Sequence, residues 1–201
     1  MKLPARDECY RLMCEMEMTD HIVVHCMQVC RVATVLAENL TPAGISLNCE
    51  LIHAAALLHD ITKTRSFKTR ENHAQTGGQY LTELGFPEVG SLVRQHVRLD
   101  EYPRSVSLGE AQILNYADKR VLHERIVSLD KRLEYILEKY AKVPGDRRRV
   151  YLLWEKTREI EAEIFNALPF SPEDLNDLIN AEDRSRDFKE YQRICGVKVN
   201  Q

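Results

Sequence analysis

The chain has 201 residues, enough for one domain or for one domain with a helical extension. Hydrophobic residues make up 44% of it and charged residues 29%, which supports a sizeable core and excludes a disordered polymer. The formal net charge of -3 gives no electrostatic case for non-specific nucleic-acid binding, and no uncharged run is long enough to span a bilayer.

Residues 5–18 read as a first helix with an apolar stripe of Cys9, Leu12, Met13 and Met16. No apolar signal core follows Met1, so the expected compartment is the cytoplasm. Thr19 or Asp20 is positioned to cap a second helix that runs to about Asn39. It carries His21 and His25 one turn apart, and His25 starts a row continued by Val29, Val32 and Leu36. The six cysteines (Cys9, Cys14, Cys26, Cys30, Cys49 and Cys195) show neither a CxxC pair nor a zinc-ribbon spacing. They read as small reduced hydrophobes.

Thr41-Pro42-Ala43-Gly44 breaks the chain. A third helix from about Asn48 holds an apolar run, Ala54 to Leu58, that ends in His59-Asp60. Burying an imidazole beside a carboxylate is costly without a partner, and a metal ion can pair with both. His53, two turns earlier, reads as structural or exposed. Residues 61–71 are polar and basic, with Lys63, Arg65, Lys68 and Arg70, and read as a loop: a solvated one, or a rim that attracts phosphate.

Asn72 can cap a helix that begins at His73 and ends at Gly85; Gly77 and Gly78 inside it suggest close approach of another backbone. Pro87 opens the next helix, in which Val89, Leu92 and Val93 lead to His96. Residues 99–108 form a loop containing Tyr102-Pro103. Glu110 to Leu122 reads as a helix with Asp118 among apolar neighbours, followed by the basic Lys119 and Arg120.

Beyond residue 126 the chain becomes a charged, amphipathic pair of helices, 128–142 and 147–167, about a Pro144-Gly145 turn. Leu133, Ile136, Leu137 and Tyr140 are helix-spaced, as are Val150, Leu153, Trp154, Ile160 and Ile164. Ser171-Pro172 starts a further helix. No chemistry is legible there; the segment reads as one that packs on the core, closes over the site or forms a homodimer face. No strand signal is present. The expected fold is all-α, with residues 1–125 as the functional domain and 126–201 as a helical extension.

The polar residues at apolar helix ends form a constellation: His25, His59, Asp60, His73, His96 and Asp118. Helical bundles build metal sites from facing helices in this way. Mixed imidazole and carboxylate donors suit Mn, Fe, Co, Ni or Zn. The rival reading is a helical scaffold whose histidines are unrelated.

The order His25, His59-Asp60, Asp118 resembles the HD superfamily of metal-dependent phosphohydrolases. His59-Asp60-Ile61-Thr62-Lys63 is similar to the His-Asp-Ile-Gly-Lys signature of its HDIG branch, with Thr62 in place of glycine. Asn115-Tyr116-Ala117-Asp118-Lys119 resembles the last motif, and the likeness covers roughly residues 18–125. It implies an HD-domain helical bundle with His25, His59, Asp60 and Asp118 as metal ligands. His73 and His96 fall where two-metal members place extra histidines, so it also implies one or two divalent transition-metal ions, with Asp60 bridging. The Gly-Tyr-Pro hallmark of the HD-GYP branch is not intact; only Glu101-Tyr102-Pro103 is present.

The expected reaction is hydrolysis of a phosphate ester or anhydride of a nucleotide-like small molecule by a metal-activated water. Asp60 and Lys63 are the expected catalytic residues, and Lys63, Arg70 and Lys119 the substrate-binding ones. Neither a membrane nor a nucleic-acid partner is expected. The alternatives are a degenerate HD-type binding module without catalysis and an HD-type di-iron oxygenase.

Overall fold

The computed structural model describes residues 1–100, 108–179 and 181–196, so Glu101-Tyr102-Pro103 and the end of the charged tail lie outside the described residues. Helices α1 (Arg6–Glu15), α2 (Asp20–Leu40) and α3 (Cys49–Leu58) are followed by a short α4 (Lys63–Thr69). Then come α5 (His73–Glu83), α6 (Pro87–Gln95) and α7 (Glu110–Lys119). The C-terminal part holds α8 (Leu129–Tyr140), α9 (Pro144–Asn166), a 3-10 turn at Pro172–Asp174, α10 (Leu175–Leu178) and α11 (Ala181–Ile194).

The helices start where the sequence offers caps. The Asn48 side chain accepts from the Leu51 amide, Asn72 accepts from the amides of Ala74 and Gln75, and Ser128 accepts from Lys131. Pro87 and Pro144 stand in the first turns of α6 and α9, where a missing amide hydrogen costs nothing. Pro144-Gly145, expected as a turn, therefore opens a helix instead.

α2 is the central element, packed against α3, α7 and α11. Val29, Val32, Ala33, Leu36 and Leu40 of α2 are fully buried, and so are Ala55, Ala56 and Leu58 of α3. α5 lies on α6 through two glycines. A Cβ on Gly78 would stand 2.6 Å from the Gly90 carbonyl oxygen, so the two backbones meet with no room for a side chain.

Three local expectations are corrected. The loop expected over 61–71 contains α4, whose residues bury no side chain and so leave no apolar stripe to read. Glu110–Leu122 is not one helix: α7 ends at Lys119, and Val121–Leu122 (β1) pairs antiparallel with Arg125–Ile126 (β2). Strands of two residues are too short to show alternation. Third, the cysteines are not all reduced. Cys9, Cys26 and Cys30 are free and buried, but Cys14 and Cys195 form a disulfide across 181 residues. No local spacing encodes that pair; the packing of α11 on α1 brings it together. Asp187 strengthens the same docking, bonded to Arg31 and 2.5 Å from Arg6.

No helix among the described residues is long and apolar enough to cross a membrane.

Candidate metal centre

Five elements deliver six side chains to one end of the bundle: His25 from α2, His59 and Asp60 at the end of α3, His73 at the start of α5, His96 at the end of α6 and Asp118 from α7. The last carbonyls of a helix lack intrahelical donors. His59 uses this, its Nδ1 donating to the Ala56 carbonyl at 2.8 Å, and His96 repeats it on Val93 at 2.7 Å. His25 Nδ1 donates to the His123 carbonyl at 2.9 Å; His123 holds a left-handed backbone (φ 57°) in the hairpin. A carbonyl can only accept, so in each ring Nδ1 carries a hydrogen and Nε2 is the nitrogen that faces inward. Lys63 Nζ lies 3.1 Å from His73 Nε2; an ammonium can only donate, so that nitrogen presents a lone pair.

These nitrogens converge on carboxylates. His25 Nε2 is 3.2 Å and His59 Nε2 3.7 Å from Asp118 Oδ1. His59 Nε2 is 3.7 Å from Asp60 Oδ2, while His73 Nε2 and His96 Nε2 are 3.1 and 3.6 Å from Asp60 Oδ1. His73 Nε2 and His96 Nε2 face each other at 3.2 Å. Two clusters thus form around a shared ring: His25, His59 and Asp118, and His59, Asp60 and His96.

The arrangement leaves two buried polar atoms unsatisfied. His59 Nε2 and Asp60 Oδ1 are buried and make no hydrogen bond among the described residues. Donor atoms joined by metal bonds of about 2.1 Å stand ~3.0–3.5 Å apart, close to the spacings found. The two clusters therefore offer the donors that a divalent transition-metal ion takes, and His73 Nε2 stands beside the second of them, 3.1 Å from Asp60 Oδ1.

The electrostatics agree. Burial pushes the His59 imidazole down to about 4, so it is neutral, as a ligand must be. Burial also lowers His73. Burial by itself would raise the carboxyl of Asp60, but His59, His73, His96 and Lys63 outweigh it and hold the group well below the usual carboxylate range. Asp118 is likewise raised by burial and brought well below that range by His25, His59 and Arg132.

A cleft of about 610 Å³ opens onto this centre. Lys63 lines it. Lys119 lines it too, but its ammonium is engaged with the carbonyls of His96, Val97 and Asn115 and with Asn115 Oδ1, at 2.9–3.5 Å. Arg70 is exposed at the end of α4 in a left-handed conformation (φ 59°), away from the cleft lining. Arg120, expected to add charge near Asp118, turns the other way: it bonds the Val127 and Pro172 carbonyls, Tyr116 and Glu161. Thr62, standing for the signature glycine, is buried and donates to the His73 carbonyl at 2.8 Å, which ties the end of α3 to the start of α5.

Closing over the site is one of the readings open for the C-terminal helices in the sequence, but the residues that form the cleft's second wall are not among the expected site residues. Arg132, Tyr135, Ile136, Lys139 and Tyr140 of α8 line it, with Trp154 of α9. In the sequence Ile136 and Tyr140 read as part of an apolar packing stripe and Arg132, Tyr135 and Lys139 as its charged, amphipathic flank, although the five share one helical face.

A family model described as "HD domain" matches residues 22–128, more than half of the chain and every candidate ligand position from His25 to Asp118. An uncharacterized protein of Methanocaldococcus jannaschii is 26% identical over 148 residues, 67% of this chain and 86% of that protein. Ribonuclease Y of Fusobacterium nucleatum is 23% identical over 159 residues, 73% of this chain and only 30% of that protein. The crystal structure of a predicted HD superfamily hydrolase from an uncultured Thermotogales bacterium aligns at 21% identity and a TM-score of 0.47, over 82% of this chain and 94% of that one. With the His-Asp pair, its flanking histidines and the closing Asp118 inside the matched span, the chain belongs to the HD superfamily of metal-dependent phosphohydrolases.

Proposed function

We propose that this protein hydrolyses a phosphate ester or anhydride of a small, nucleotide-like molecule. One observation carries the reading: imidazole nitrogens and carboxylates from five elements converge at the base of a cleft, with His59 Nε2 and Asp60 Oδ1 buried and without a hydrogen bond among the described residues. A divalent ion held there would supply Lewis acidity toward a phosphoryl oxygen and toward a water nucleophile. The remaining work belongs to the chain. Asp60, next to both clusters, fixes their spacing. Lys63, half-buried with its Nζ 3.7 Å from Asp60 Oδ1, stands where it can donate to a phosphoryl oxygen and balance charge that grows during the reaction. The cleft's volume falls in the range that suits a nucleotide-sized ligand.

The test is a substrate panel on metal-loaded protein: nucleoside mono-, di- and triphosphates, a dinucleoside polyphosphate and a short RNA, the last because one relative bears the name Ribonuclease Y. The net charge of -3 argues against the RNA. Turnover of at least one small phosphate compound is expected, and Asp60→Ala should abolish it with the circular dichroism spectrum unchanged. Full activity in Asp60→Ala, or hydrolysis of RNA alone, would remove this reading.

A further inference from the structure

α8 begins immediately after the span that the HD family matches, and yet it forms a wall of the cleft. Its residues Arg132, Tyr135, Ile136, Lys139 and Tyr140 recur at the spacing of one helical face, and all five line the cavity. The helix is firmly seated. Ser128 caps it, Leu129 and Leu133 are buried, Trp154 Nε1 donates to the Leu129 carbonyl at 2.9 Å, and Arg158 reaches Asp130 at 2.6 Å.

Arg132 is the unusual member. Its Nε is buried and makes no hydrogen bond among the described residues, and its guanidinium carbon lies 5.7 Å from the centre of the Tyr135 ring. It lines the same cleft as Asp118. A buried Nε–H with no acceptor is costly unless something completes it, and the guanidinium fork matches the oxygens of a phosphoryl group. Farther along the same face, Lys139 Nζ donates to the Tyr135 hydroxyl at 2.7 Å. Tyr140 and Phe67, 54% and 62% exposed on α8 and α4, line the same cleft and offer flat apolar surface at its edge.

We propose that α8 reads the substrate: Arg132 binds the phosphoryl group, and Tyr135 and Tyr140 receive a planar aromatic moiety, which makes the substrate class a nucleoside-type phosphate and not an aliphatic one. The assignment rests on the phosphohydrolase reading and extends it to residues that the family match does not include.

The experiment uses the full, metal-loaded chain and compares wild type with Arg132→Ala, Arg132→Lys and Tyr135→Leu. Three quantities are read: affinity for inorganic phosphate by calorimetry, metal per chain, and steady-state kinetics on a nucleoside monophosphate and on glycerol phosphate. Arg132→Ala should bind phosphate at least about tenfold more weakly and lose about 100-fold in kcat/KM at unchanged metal content, with Arg132→Lys in between. Tyr135→Leu should raise KM for the nucleotide about tenfold and move kcat little. Wild-type phosphate affinity in Arg132→Ala, or a loss of metal in parallel with phosphate, would overturn the Arg132 role. Equal kcat/KM of wild type on the two esters would overturn the aromatic role. A wild type that binds phosphate through Arg132 and cleaves no ester supports the α8 assignment while overturning the hydrolase reading.

Discussion

His59 is the residue the centre depends on most. It is fully buried, its Nδ1 is committed to the Ala56 carbonyl, and its Nε2 serves both ligand clusters. Removing it takes a donor from each. We expect His59→Ala to weaken metal binding at least about 100-fold, more than the loss of an outer hydrogen-bond partner does. His21 is exposed in the same cleft but belongs to neither cluster, so His21→Ala should leave metal content unchanged. Elemental analysis of the two variants decides this; equal metal in both would show that His59 is a core histidine and not a ligand. At this scale the residues that meet at the base of the cleft were legible in the sequence, because each histidine or aspartate stands at or near one end of a helix that carries an apolar stripe. What it did not reveal is the tautomer. That depends on carbonyls at helix ends and on His123, 98 residues from His25, and so on tertiary structure.

At the scale of the element, the crossing of α5 and α6 sets where His73 and His96 stand, one at the start of α5 and the other just past the end of α6. Gly78 and Gly90 make that crossing possible. A Cβ on Gly90 would collide with the Gly78 carbonyl and lie 2.6 Å from Thr82 Oγ1; a helical carbonyl cannot swing aside, so the helices would have to part. Gly90→Ala should therefore destabilise by about 1–3 kcal/mol despite the better helix propensity of alanine. Gly145 in the first turn of α9 has nothing within 4 Å of its Cβ position, and Gly145→Ala should be neutral or stabilise by up to about 1 kcal/mol. Urea unfolding of the pair checks both signs; a stabilised Gly90→Ala would mean that the helices do not meet through backbone. Gly77-Gly78 announced this contact in the sequence, as Asn48, Asn72 and Ser128 announced helix starts. α4 and α8 were harder. Lys63–Thr69 has no buried face to give it a period, and the cleft-facing side of α8 mixes arginine, lysine and tyrosine, which reads as a solvated face until a cavity is seen against it.

Over the whole molecule, the centre joins parts of the chain that nothing local holds together. Its ligands run from His25 to Asp118, and the helices that carry them are braced from outside by Arg120 on the Val127 and Pro172 carbonyls and by Asp187 on Arg6 and Arg31. Without an ion, His59 Nε2 and Asp60 Oδ1 are buried with no hydrogen bond among the described residues, and the folded state bears that cost. The unfolded chain does not, because its imidazoles and carboxylates are hydrated and far apart. An ion that binds only the folded arrangement adds RT ln(1 + [L]/Kd), about 4 kcal/mol at a thousand times Kd. For a chain of this size each kcal/mol moves the melting temperature by about 2–4 °C, so loading with manganese or iron should raise it by roughly 8–16 °C. The check is a melting curve of chelator-treated protein before and after metal is returned, with His59→Ala alongside. Wild type should gain the shift and the variant most of it lose. A melting temperature that ignores both chelator and metal would mean that the acceptors at the base of the cleft are satisfied by other partners, and the centre would then have to be read as a polar core.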